Sequence, residues 1–109
     1  MAVLEVSDHE FEDKLKENRN LVVKYYASWC GSCRLFAPKF RRMSEEEGFK
    51  HVVFLDIDAE NNPMARKMAK VETLPHFAVF KDGELLDAGS TSKEESVRTM
   101  LEKLHSDEN

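Results

Sequence analysis

Cys30 and Cys33 are the only cysteines of this chain, and Gly31-Ser32 alone separates them in the stretch Trp29-Cys30-Gly31-Ser32-Cys33. Sulfurs at this spacing can close a small ring reversibly. The thiolate, not the thiol, attacks a disulfide, so the local field on the first sulfur decides its reactivity. The apolar run Leu21-Val22-Val23-Lys24-Tyr25-Tyr26-Ala27 leads directly into the motif. This reads as a buried strand that delivers a dithiol to the start of a helix. There the first sulfur lies near the positive end of the helix dipole, which favours thiolate. The other use of Cys-x-x-Cys is as half of a zinc site, which takes four ligands, usually from two such pairs. No second pair exists, and His9, His51, His76 and His105 are scattered singly. The pattern points to thiol–disulfide chemistry, with metal or cluster binding across two chains as the alternative.

The elements that position this site fit one domain over residues 1–109, large enough for a core without staples. Hydrophobic residues make up 41% and charged residues 34%, which argues against disorder. The net charge of -5 leaves no basic footprint, so no nucleic-acid partner is expected. No apolar run is long enough to span a membrane. Met1-Ala2-Val3-Leu4-Glu5 does not read as a signal peptide, nor His105-Ser106-Asp107-Glu108-Asn109 as a retention signal. A reducing cytoplasmic setting is therefore expected, where such a cysteine pair suits catalysis better than structure.

Val3–Val6 reads as a first strand. Ser7 and Glu10 form a capping box that opens a helix to about Asn18, with Phe11 and Leu15 on one face. Residues 21–27 are apolar on both faces apart from Lys24, as in the middle of a covered sheet. A helix runs from the dithiol to about Glu47, with Pro38 inside it. His51–Ile57 is the next central strand, and Pro63 starts a helix to about Lys70. Thr73-Leu74-Pro75-His76 leads into the strand Phe77–Phe80. Asp82-Gly83 is a hairpin turn into an edge strand from Glu84 to Ala88. Ser92 and Glu95 predict a second capping box for a final helix bearing Val97, Met100, Leu101 and Leu104. The order βαβαβαββα implies an α/β fold with a central mixed sheet and helices on both faces.

That order, with Trp29-Cys30-Gly31-Ser32-Cys33, Ala37-Pro38, Asp56-Ile57-Asp58 with Asn62-Pro63, Leu74-Pro75 and Phe80-Lys81-Asp82-Gly83-Glu84, resembles the thioredoxin family over nearly the whole chain. Tyr25–Cys30 and Ala37–Phe40 are also similar to catalytic domains of protein disulfide isomerase. The resemblance implies a thioredoxin fold. It implies that Cys30 attacks the substrate disulfide and Cys33 resolves the mixed disulfide. Trp29 and Gly31 would shape the contact surface, together with Leu74. Pro75 would be a cis proline against the dithiol, exposing backbone groups that align the substrate as an extra strand.

Four departures bear on redox tuning. Family reductases usually carry Gly-Pro where this chain has Gly31-Ser32. Serine frees a backbone N–H and adds a hydroxyl, both able to stabilise a thiolate and make the couple more oxidising. Lys24 stands where thioredoxins bury an Asp and disulfide isomerase domains a Glu. A charged Lys24 would favour thiolates and a neutral one could accept a proton. It could pair with Asp56, or run its stem along the core with its head in solvent. The family's partner lysine on the next strand is Phe54 here. His76 stands where thioredoxins usually have Thr; it is expected near the dithiol face, as a cation that lowers a thiol pKa or as a solvated loop residue.

The expected function is thiol–disulfide exchange that reduces or rearranges protein disulfides, by a monomer with no bound cofactor beyond its own Cys30–Cys33 disulfide. No Gly-rich dinucleotide motif is present, so electrons are expected from a reductase partner, as with thioredoxins. The rivals are a protein-binding adaptor with weak redox activity and an isomerase-like oxidant.

Overall fold

The computed structural model describes residues 3–104, so the expectations on the first two residues and the tail from His105 lie outside the described residues. The chain runs β1 (Val3–Glu5), α1 (Asp8–Glu17), β2 (Asn20–Tyr26), α2 (Gly31–Ser44), a 3-10 turn (Glu47–Phe49), β3 (Val53–Asp58), α3 (Pro63–Met68), β4 (His76–Lys81), β5 (Glu84–Ser90) and α4 (Glu94–Glu102). The strands form one sheet in the order β1-β3-β2-β4-β5. β3 is parallel to β1 and β2, while β4 is antiparallel to β2 and β5. The predicted element order and mixed sheet are what the chain adopts.

Alternation along β2 divides the core into two layers. Leu21, Val23 and Tyr25 face Phe11 and Leu15 of α1 and Ala65 of α3. Val22 faces Phe36, Phe40 and Met43 of α2 and Val97, Met100 and Leu101 of α4. Phe36 lies 4.9 Å from Phe77 and Phe40 5.1 Å from Phe54, centroid to centroid. Each such buried ring is worth about 1.5–3 kcal/mol. These contacts fix α2 against the sheet and hold its N-terminus at the end of β2.

Local chemistry sets the boundaries. The Ser7 N–H donates to the Glu10 carboxylate at 2.9 Å, as the capping box requires. Asp82 and Gly83 both have positive φ (52° and 83°), the pair a tight hairpin needs. α2 ends at Ser44 rather than near Glu47. Its last turn tightens to Glu45 N–H on Arg42 O and Glu46 N–H on Met43 O, both at 3.1 Å. Glu46 is then drawn to Arg98 of α4. α3 stops at Met68 because Lys70 takes φ 54°, and Val71 N–H closes back onto Arg66 O at 3.2 Å. The predicted Ser92–Glu95 box is corrected. Lys93 is the N-cap of α4, and its N–H donates to Thr91 Oγ1 at 3.0 Å, one residue upstream of the expected serine.

Candidate active site

β2 ends at Tyr26, and Ala27-Ser28-Trp29 turn the chain into α2. Cys30 is the N-cap residue of α2, with its N–H on Ala27 O at 3.1 Å. Cys33 lies one turn inside. The two are joined as a disulfide, and both are buried, at 5% and 3% exposure. Cys33 N–H donates to Cys30 Sγ at 3.2 Å, and Ser32 Oγ lies 3.5 Å from the same sulfur. The backbone donor to the attacking sulfur is therefore Cys33, not Ser32 as expected, because the N-cap position aims the side chain at the N–H three residues on.

Around the dithiol, Trp29 is 64% exposed and Leu35 76%. Trp29 Nε1 donates to Glu60 Oε2 at 2.6 Å. Glu60 is braced in turn, its N–H bound by Asp58 Oδ1 at 3.0 Å. A Cβ at Gly31 would meet open space, so no close contact demands glycine there. Leu74 packs against Ala27, Cys30 and Cys33. The Leu74–Pro75 peptide is cis. The Pro75 carbonyl accepts from Thr91 N–H at 3.2 Å and Ser90 Oγ at 3.1 Å, so it is not a free group for a substrate strand.

Lys24 does not send its head to solvent: it is 3% exposed. Its Nζ lies 5.4 Å from the Phe40 ring centroid and 5.9 Å from that of Tyr26. It pairs with Asp56 Oδ1 at 3.5 Å, its register partner on β3. Burial raises the Asp56 pKa, and Lys24 opposes that rise. A cavity of about 270 Å³ joins this pair to the dithiol, lined by Lys24, Asp56, Glu5, Tyr26, Cys33 and Arg34 among others. Tyr26 OH donates to Glu5 Oε2 at 2.6 Å. Burial also raises the Glu5 pKa. Glu5, Tyr26, Glu60 and the place of Asp56 in the site were missed in the sequence. Strand alternation signals that Glu5, Tyr26 and Asp56 share one face, but only register brings them to the cavity beside Cys33, and Glu60 lies in the turn after β3.

His76 is corrected. It starts β4 opposite Tyr25, is 7% exposed, and lies edge-on to the Tyr25 ring with centroids 5.8 Å apart. It therefore shares the α1/α3 layer with Tyr25. Both ring nitrogens are buried. Burial lowers its pKa, partly offset by the Ala69 backbone, so the neutral form is favoured. It is neither a solvated histidine nor a cation beside Cys30.

The family profile described as Thioredoxin matches residues 2–104. A thioredoxin-like protein of Synechocystis is 35% identical over 107 residues, spanning 95% of this chain and 97% of that protein. Thioredoxin of Coprinus comatus is 32% identical, spanning 84% and 91%. The short form of spinach chloroplast thioredoxin f superposes with a TM-score of 0.88 at 23% identity, covering 95% of this chain and 94% of that one. A thioredoxin f2 solved in complex with ferredoxin:thioredoxin reductase is also similar, with a TM-score of 0.86 at 26% identity, covering 95% and 96%.

Proposed function

The chain belongs to the thioredoxin family, and from that premise we propose how its two sulfurs divide the work. The protein is a thiol–disulfide oxidoreductase that reduces protein disulfides. Cys30 thiolate attacks one sulfur of the substrate disulfide, forming the mixed disulfide and releasing the other substrate sulfur as thiolate. Cys33 thiolate then attacks Cys30 Sγ. The bond to substrate breaks, the second substrate sulfur leaves reduced, and Cys30–Cys33 closes as the disulfide. The observation that carries this order is the place of Cys30 at the N-cap of α2, under the Cys33 N–H. Both the dipole and that donor stabilise a thiolate on Cys30. Trp29, Gly31, Leu74 and Pro75 form the contact surface.

Re-reduction comes from a separate reductase, a reading supported by the relative solved with ferredoxin:thioredoxin reductase. No bound cofactor is needed beyond the dithiol. The protein works as a monomer in the cytoplasm, away from nucleic acid and membrane; no helix among the described residues is long and apolar enough to cross a bilayer.

Incubation of Cys33→Ser with insulin should trap a mixed disulfide that is resolved on non-reducing gels, and Cys30→Ser should trap none. Alkylation of the reduced wild type at neutral pH should modify Cys30 first. Labelling of Cys33 first would reverse the assignment.

A further inference from the structure

We propose that Asp56 of β3 is the proton acceptor for Cys33, with Lys24 of β2 as its counter-ion. This rests on Cys33 being the resolving thiol. Asp56 and Lys24 are register partners, so the carboxylate absent from β2 stands directly across from it on the next strand. The cavity of about 270 Å³ is lined by Cys33 and by both members of the pair. Charged and polar side chains from β1, β2, β3 and α2 reach into it, and it has room for several waters, through which a proton can pass.

Three carboxylates, Glu5, Asp56 and Asp58, lie on this face of β1 and β3, and hydrogen bonding separates them. Glu5 is committed to Tyr26 OH at 2.6 Å. Asp58 is committed to Glu60 N–H at 3.0 Å and to Asn61 Nδ2 at 2.8 Å. Asp56 Oδ1 alone is buried without a hydrogen-bond partner among the described residues, held only by the 3.5 Å ion pair to Lys24. Lys24 from β2 and Arg41 from α2 act on it directly, and the other charged or titratable groups around it are Tyr26 from β2, Glu5 from β1, Asp58 on its own strand and Arg34 at the cavity wall. Burial raises its pKa toward that of an effective base, and Lys24 opposes that rise.

In the resolving step the Cys33 proton passes through the cavity to Asp56. The sulfur electron pair attacks Cys30 Sγ, and the Cys30–substrate bond breaks. The substrate sulfur leaves as thiolate and takes a proton from solvent. The dithiol is oxidised, the substrate disulfide is reduced, and Asp56 returns its proton to water. Lys24 Nζ, 3.5 Å from Asp56 Oδ1, borders the cavity throughout the step.

The test is single-turnover oxidation of the pre-reduced protein by insulin, followed from pH 6 to pH 9. Asp56→Asn should be slowed about tenfold at pH 7, a fraction of the usual gain from general-base catalysis. The deficit should close toward pH 9, where hydroxide takes over deprotonation. Asp56→Glu should recover most of the rate. If Asp56→Asn does not fold, Lys24→Met with Asp56→Asn removes the stranded charge and should show the same closing deficit. An unchanged rate, an equal deficit at every pH, or a pH-dependent loss in Glu5→Gln instead would overturn the assignment. Failure of Cys33→Ser to trap substrate would overturn the role of Cys33 itself, a separate result.

Discussion

Lys24 and Tyr25 are neighbours on β2, both buried, and they face opposite layers. Tyr25 places its ring in the α1/α3 layer and donates its hydroxyl to Ala65 O at 2.9 Å. Burial raises its pKa, so it stays a neutral phenol. Lys24 lies in the α2 layer, is paired with Asp56 and borders the cavity beside Cys33. One polar tip is neutral, closed off and satisfied; the other is part of an ion pair open to a reactive thiol. A buried polar group that finds a full partner holds the fold together, whereas one that is left loosely paired beside a nucleophile is placed to move charge.

Substitutions at these two residues test that division most sharply. Lys24→Ala strands the Asp56 carboxylate. Losing one partner of a fully buried pair costs about 3–5 kcal/mol, and the Asp56 side chain is 24% exposed, so about 2 kcal/mol is expected in urea unfolding at pH 7. Without Lys24 the folded pKa of Asp56 rises further above its ordinary value, so the deficit should shrink as pH falls through it. Tyr25→Phe should cost about 1 kcal/mol at every pH below 9 and leave the insulin-reduction rate within about twofold. A rate loss in Tyr25→Phe equal to that in Lys24→Ala would dissolve the comparison.

His76 offers the next test, on the Tyr25 side. Its folded pKa lies below 6.5, so the unfolded chain binds more protons in the window beneath that value. Stability should therefore rise with pH across the window and fall as pH drops below about 6.5, where burying a neutral imidazole opposes protonation. The unfolding free energy of His76→Leu should change less between pH 7 and pH 5 than that of the wild type. A slope that is unchanged in the variant would show that another group carries the dependence.

The element order was legible because period-two apolar runs, a capping box and the Asp82-Gly83 turn are local signals. The end of α2 and the cap of α4 were not, since Glu46 answers to Arg98 fifty-two residues away and Thr91 displaces Ser92 as the side-chain partner. At the site, the dithiol announced itself by spacing. Lys24 could be singled out but not resolved, because a lysine stem can snorkel, and only Phe40 and Tyr26 closing over it decide otherwise. Asp56 read as one acidic residue in a strand until register set it against Lys24. The burial of His76 was not legible, because its position after Pro75 is clear in sequence but the face it takes depends on its pairing with Tyr25.

The smallest effect expected is at Ser32. Its hydroxyl is 3.5 Å from Cys30 Sγ, a weak contact, and the stronger donor at 3.2 Å is the Cys33 N–H, which a proline at 32 would leave in place. Ser32 sits in the first turn of α2, where proline is tolerated, and the preceding Gly31 has open space to adjust. Ser32→Pro should thus remove only the hydroxyl as a thiolate donor. The reduced form loses stabilisation that the disulfide does not share, so the reduction potential should fall by about 15 mV, or roughly 0.7 kcal/mol. The pKa of Cys30 should rise with it. Glutathione equilibration measures the first quantity and the pH dependence of iodoacetamide labelling the second. A potential that stays fixed or rises would move control of the redox poise from the turn between the cysteines to the Lys24–Asp56 pair behind them.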